Sequence, residues 1–292
     1  MSGIAAPRPG EDGEAVAVEI GPYRLAVATS FGPRVLDLRL GDAPSMFARL
    51  GDDTVIDLPD SGVYRFHGGH RLWASPEVPD VTYAPDDMPC QVDFGPERVS
   101  ITGSVDRAGL IKRIVVERDG DRLVVDHTLG NPGPDVIEAG PWAITQLRLG
   151  GAVVLPTTGP VPEGLQASHS LVLWPYTDLS DSRITWRRRA LVISAMAGPP
   201  FKIGAGPGPR RLGYLLDGHL FTKELPGTGE GEYADRGAVG QVYLNQAFCE
   251  LESVGPIITL EPGSTASHRE LWSIEPCAGP DDAYRQVAGE PL

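Results

Sequence analysis

The sequence predicts an all-β fold, a large antiparallel β-sandwich over residues 15–292, and three observations carry that expectation. Glycine and proline supply 36 and 28 of the 292 residues, which punctuates the chain too often for long helices. Hydrophobic residues still make up 41%, enough for burial to offset the entropy of ordering. Short segments of alternating apolar and polar residues recur nearly to the C-terminus, with turn-forming residues between them.

In chain order, residues 1–14 read as a disordered arm without the apolar run of a signal peptide. "RVLDLRL" sets Leu36, Leu38 and Leu40 against Asp37 and Arg39, the pattern of a half-buried strand. "DRLVVDHTL" places Leu123, Val125, His127 and Leu129 on one face. Further strands are predicted at "LVLW", "RITW", "ALVISA", "LGYLL", "HLFTKEL", "QVYLNQAF" and "STASHRELWSI". Asp119-Gly120-Asp121, Gly130-Asn131-Pro132-Gly133 and Asp217-Gly218 are turns. "KIGAGPGPRR" (202–211) reads as a loop at the rim of a cleft, because it lacks the Lys-Ser/Thr ending of a phosphate loop and two prolines stand where a helix would begin. Only the segment 281–289 carries a helical pattern.

Composition narrows the function. A net charge of −14 argues against nucleic-acid binding, since no basic stripe is present to displace counterions from phosphates. The one basic cluster, Arg187-Arg188-Arg189, reads as a solvated hairpin end. Cys90, Cys249 and Cys277 are too few and too scattered for a disulfide framework or a cysteine-rich zinc site, and no histidine pair has a recognised metal spacing. No apolar run reaches the length of a membrane span. A cytoplasmic protein without membrane contact, metal or other cofactor is expected, of undetermined oligomeric state.

Several segments could carry chemistry. "FHGGHRLWASPE" (66–77) clusters His67, His70, Arg71, Trp73 and Glu77 around a Gly-Gly step. On a strand, Glu250 and Glu252 share a face about 7 Å apart, and they extend the row Val242, Leu244, Gln246, Phe248. Carboxylates on such a face repel each other and lose solvent, which tunes one of them towards neutrality as a general acid or base. His219, Phe221 and Lys223 form a second row that could reach a substrate oxygen. His127 reads as a hydrogen-bonded core histidine, and His268 with Glu270 as a structural pair. Trp73, Trp142, Trp174 and Tyr176 stand near prolines or glycines at predicted strand ends, where aromatic platforms can stack on the C–H face of a sugar.

Taken in order, these segments resemble the galactose mutarotase (aldose 1-epimerase) superfamily. "FGPRVLDLRLGD" is similar to its opening strand, "FHGG" to its His-Gly-Gly segment, and "CELESVGPIITLEPGST" to its Leu-Glu-Thr-Gln strand and following Pro-Gly turn. "GGHRLWASPE" and "ELESVGPIITLEPG" look closer to an uncharacterised branch of that superfamily. The resemblance implies a supersandwich with a cleft on one concave face and a small carbohydrate or sugar-like ligand. It also implies cofactor-independent proton transfer of the epimerase type, with Glu252 as general base and His67 in the family histidine's place. His70 is preferred for the cleft as acid or polariser, with Lys223 assisting. Arg71, Glu77 and Glu250 would bind hydroxyls or balance charge, and Trp73, Trp142 and Tyr176 would form the apolar wall. One departure stands out: the family's acid histidine falls near Trp142, where no histidine is present. That leaves open a non-catalytic sugar-binding or regulatory protein, or a different tailoring reaction in the same cleft.

Overall fold

Strand follows strand because each apolar alternation is cut by a turn before it can continue. The computed structural model describes residues 8–9, 14–58, 62–157, 167–206, 211–227 and 231–289. Among these, two large antiparallel sheets stack face to face. One has eleven strands, and its centre runs Arg34–Leu40, Gly69–Ser75, Ile137–Leu147, Cys249–Val254, Gly240–Leu244, Phe201–Ala205. The other has ten, and its centre runs Arg211–Leu216, His219–Glu224, Thr265–Pro276, Arg122–Gly130, Ile111–Asp119. A separate hairpin pairs Val55–Leu58 with Gly62–Arg65.

The core fills the space between the sheets. Leu72, Leu147, Leu251 and Ile203 of the first sheet are buried in one cluster with Leu123, Phe221 and Trp272 of the second. Side chains alternate along a strand, so this fixes which residues turn away from the core. In the first sheet these are Arg71 and Trp73, Trp142, Ile144 and Gln146, Glu250 and Glu252, Gln241 and Tyr243, and Lys202. An apolar cluster that includes Trp73, Trp142, Ile144, Phe248 and Val254 covers that outer face.

Three sequence expectations change here. The segment 202–211 is not wholly a loop: Phe201–Ala205 is a strand paired with Gly240–Leu244, and residues 207–210 lie outside the described residues. Nor do Val242 and Leu244 share a face with Glu250 and Glu252. The turn at Asn245–Phe248 pairs Val242 with Leu251 and Tyr243 with Glu250, so Val242 and Leu244 belong to the core. Within the expected disordered arm, Arg8–Pro9 pairs with Val16 and Ala17, and the Glu14 carbonyl accepts from the Thr29 amide; the rest lies outside the described residues.

At the C-terminal end, Pro280–Ala288 is the helix the pattern indicated. It is clamped by the basic run: Arg187 pairs with Asp281 at 2.7 Å, and Arg189 donates to the Gly289 carbonyl. Among the described residues, no helix is long and apolar enough to cross a membrane.

The Gly68-Gly69 step exists because two backbones pass close to it. A Cβ on Gly68 would lie 2.0 Å from the Ala48 carbonyl oxygen, and one on Gly69 would lie 2.4 Å from that of Val35. Both residues also adopt positive φ (86° and 73°). The step delivers the Gly69–Ser75 strand into the middle of the sheet.

Candidate functional site

Strand register assembles the floor of a cleft on the outer face of the first sheet. Lys202, Tyr243, Glu250, Gln146 and Gly69 lie abreast across five neighbouring strands. The next row brings Gln241, Glu252, Ile144, Arg71 and Arg34 together. One step further, Trp142 stands beside both Trp73 and Val254.

Above this floor is a cavity of about 440 Å³. Its apolar lining comes chiefly from Phe66, Trp73, Tyr83, Trp142, Tyr176 and Tyr243, and its polar lining from Glu77, Lys202, Asn245 and Glu250. Trp73 is fixed by its Nε1–H, which donates to the Tyr64 hydroxyl at 2.9 Å, and by edge contact with Trp142. Arg71 sits over the Trp73 ring, its guanidinium carbon 4.0 Å from the ring centre.

Two buried ion pairs organise the floor. Arg71 Nη2 donates to Glu250 Oε1 at 2.9 Å, and Gln146 Nε2 donates to the same oxygen at 3.0 Å. Lys202 Nζ donates to Glu252 Oε2 at 3.0 Å, and Trp142 Nε1 reaches that oxygen at 2.8 Å. Burial pushes the Glu252 carboxyl up to about 7; Lys202 opposes the rise and the Glu250 charge adds to it. Among the described residues, Glu252 Oε1, Gln146 Oε1 and Arg71 Nε and Nη1 are buried without a hydrogen-bond partner. Unpaired polar atoms this deeply buried are uncommon in folded proteins.

No protein-family model matches the chain, and no curated protein matches it. Solved structures do. A TPR-domain-containing protein from Parabacteroides distasonis ATCC 8503 superposes with a TM-score of 0.61 at 12% identity, over 95% of this chain; the chain spans 48% of that protein's length. A candidate aldose 1-epimerase from Klebsiella pneumoniae subsp. pneumoniae MGH 78578 gives 0.58 at 10% identity, covering 94% of this chain and 82% of that one. A galactose mutarotase-like protein from Lactobacillus casei ATCC 334 gives 0.52 at 10% identity, covering 89% and 100%. The chain has the galactose mutarotase-like fold.

Within that fold the sequence-derived site residues separate into two groups. Trp73, Glu77, Trp142, Tyr176 and Glu250 line the cleft, and Arg71 and Glu252 lie just beneath its floor. His70 and Lys223 do neither. His70 is adjacent to Arg71 on one strand, so the two must face opposite ways, and His70 turns into the space between the sheets. There its Nδ1 meets Thr145 Oγ1 at 2.9 Å and its Nε2 meets His127 Nε2 at 2.7 Å. Lys223, fully buried, donates to Glu270 Oε1 at 3.1 Å and to the Leu251 carbonyl at 3.0 Å. His67 adopts positive φ (54°), stacks on Phe31 at 3.9 Å, and lies 3.4 Å from Asp87; it is not among the cavity-lining residues.

The polar layer between the sheets braces the cleft from behind. Ser253, next to Glu252, bonds both His268 and Glu270, while Trp272 donates to the other Glu270 oxygen. Burial lowers His70, His127 and His268, the last to about 4, so all three are neutral. Burial alone would raise Glu270, but Lys223, His127, His268 and the Ser253 hydroxyl together outweigh it and hold the carboxyl at about 2. His70, His127 and Glu270 bring ligand-type atoms within 4.8 Å of one another. Glu270 is already engaged by Lys223, Ser253 and Trp272, so the cluster fits a closed hydrogen-bonded layer better than a metal centre. His67, Asp86 and Asp87 form a second such group, and there Arg34 and Arg65 already neutralise the two aspartates.

Lys202 and Tyr243 are among the site residues that sequence reasoning missed, with Phe66, Tyr83, Asn245 and Gln146. The signal for Lys202 was present as period-two alternation: Phe201 and Ile203 enter the core, which leaves Lys202 facing outward. Glycines around it disguised the strand.

Proposed function

We propose that the chain binds a carbohydrate or sugar-like metabolite in this cleft and catalyses proton transfer on it of the aldose-epimerase type. The observation that carries the reading is the Lys202–Glu252 pair on the floor of an aromatic cavity, with a carboxyl at about 7 one layer beneath the ligand space. Aromatic faces suit the C–H surface of a sugar ring, and the polar side chains lining the cavity, Glu77, Lys202, Asn245 and Glu250, suit its hydroxyls. Neighbours of the same fold described as mutarotase-like or epimerase proteins support it.

Glu252 is fully buried and Lys202 lines the cavity, so Lys202 is the group that touches the ligand. Its ammonium gives a proton to the ring oxygen as the C1–O bond of the ring opens. Glu250, which lines the cavity, takes the proton of the anomeric hydroxyl; both of its protein donors go to Oε1, and among the described residues none goes to Oε2. Glu252, ion-paired with Lys202, holds that ammonium in place and balances its charge, and takes no proton from the sugar itself. Closure on the other face of the carbonyl reverses each transfer and yields the other anomer. This departs from the resemblance, which implies Glu252 itself as base.

A second reading, binding without turnover, is favoured by one observation. Where the resemblance places an acid histidine, Trp142 donates its N–H to Glu252 instead. One experiment separates the two. Anomer exchange of a panel of aldoses is followed by NMR with wild-type protein, Lys202→Met and Glu252→Gln. Catalysed exchange that falls by about 10²–10⁴-fold in Lys202→Met supports proton transfer. Sugar binding by calorimetry without exchange leaves the binding reading alone.

A further inference from the structure

Arg71, Lys202, Glu77, Glu250 and Glu252 stand at or just beneath the cleft, and their charges do not cancel. Arg71 is matched by Glu250 at 2.9 Å and Lys202 by Glu252 at 3.0 Å. Glu77, exposed and on the cavity wall, has no ion-pair partner among the described residues; its Oε1 accepts the Tyr83 hydroxyl. With both pairs ionised, one negative charge is left over, facing the ligand space.

The walls favour the opposite charge. Aromatic ring faces attract cations, and the attraction grows as water is removed. The protein uses this around the cleft for its own cations: Lys202 Nζ lies 4.4 Å from the Trp142 ring centre and 4.9 Å from that of Trp174, and Arg71 lies over Trp73. Tyr83 and Tyr176 add further ring surface to the cavity. Burial and the nearby Glu77 carboxylate keep both hydroxyls protonated. An anionic group entering here would meet Glu77 and Glu250, and among the described residues no cation without an ion-pair partner lines the cavity.

We propose that the ligand of this cleft is a sugar-like molecule bearing an amine, whose ammonium is held by Glu77 and the surrounding ring faces. The proposal deepens the carbohydrate reading and rests on it for the ring, but the charge preference is separately testable. Sugars carrying a phosphate or carboxylate are the disfavoured class.

The test is calorimetric titration of the full-length protein, at about pH 7.5 and low ionic strength so that screening is weak. The probes are glucose, 6-amino-6-deoxyglucose, 2-amino-2-deoxyglucose, glucuronate and choline. The expected result is that at least one amino sugar binds about tenfold or more tighter than glucose, with glucuronate weakest. Glu77→Gln narrows the amino-sugar-to-glucose ratio towards unity; Glu77 is exposed, so the variant folds. Glucose binding as tightly as both amino sugars, or glucuronate binding tightest, overturns the charge preference and leaves the carbohydrate reading standing. Binding of choline alone overturns the carbohydrate reading and keeps the charge preference. If none of the probes binds at millimolar concentration, both fall.

Discussion

The indole N–H of Trp142 donates to Glu252 Oε2 at 2.8 Å, and this one bond joins the departure from the resemblance to its most conspicuous carboxylate. Trp142 and Glu252 sit on adjacent strands, one register step apart, each on the outward face. The tryptophan that stands where a histidine was expected therefore holds the carboxylate that the resemblance implies as base. Together with Lys202 it keeps Glu252 out of contact with the cavity.

Proton donation by Lys202 should follow the charge of the Glu252 carboxyl, which titrates at about 7. In wild-type protein the turnover rate is expected to change across pH 6–8 with a single apparent titration. Glu252→Gln removes that titration and slows exchange, while sugar affinity changes less than the rate. A pH–rate profile of both proteins checks this.

His70 provides the complementary prediction. Its ring belongs to the layer between the sheets, so His70→Gln is expected to cost about 1–3 kcal/mol of stability through the unpaired His127. The pH dependence of turnover should keep its wild-type shape. Urea unfolding and a pH–rate profile measure the two halves. A shifted profile would return His70 to the list of acid candidates.

How far the sequence could see is clear from these two neighbours. Alternation in "GGHRLW" shows that His70 and Arg71 face opposite ways, but it does not say which face becomes the cleft. That depends on which sheet covers the strand, a long-range fact settled by Leu72 and Ala74 entering the core. The Glu250–Glu252 face was legible for the same reason it was half misread. Period two holds within a strand, and the turn at Asn245–Phe248 resets it, so Val242 and Leu244 point inward. Lys202 escaped notice because glycines and prolines after it outweighed a five-residue alternation.

Stability should fall on acidification, with the sign set by the histidines. His268 is held to about 4 and His70 and His127 are also lowered, so the unfolded chain binds more protons below pH 6.5. Their contribution is present above pH 6.5 and is lost as pH falls towards 4, about 3 kcal/mol for His268. Glu252 acts in the opposite sense: raised to about 7, it contributes fully below pH 4.5 and loses that contribution as pH rises through 7. Glu252→Gln is therefore expected to steepen the acid loss by about one proton between pH 4.5 and 7. Urea midpoints across that range test the slope.

Gly68→Ala tests the backbone step that delivers the strand. The added Cβ meets the Ala48 carbonyl oxygen at 2.0 Å on a residue with positive φ, and both strain the fold. A loss of about 2–4 kcal/mol is expected by urea unfolding. Tyr176→Ala is the contrasting case: Tyr176 is 49% exposed, so stability should stay within about 0.5 kcal/mol while sugar affinity falls about tenfold.

The most direct measurement is a crystal structure of the protein soaked with an aldose or amino sugar that binds in solution. The account predicts the ring in the cavity against Trp73, Trp142 or Tyr176, with an oxygen within hydrogen-bond reach of Lys202 Nζ and another near Glu250. A sugar bound elsewhere on the molecule, or one in the cavity that touches neither Lys202 nor Glu250, would contradict it.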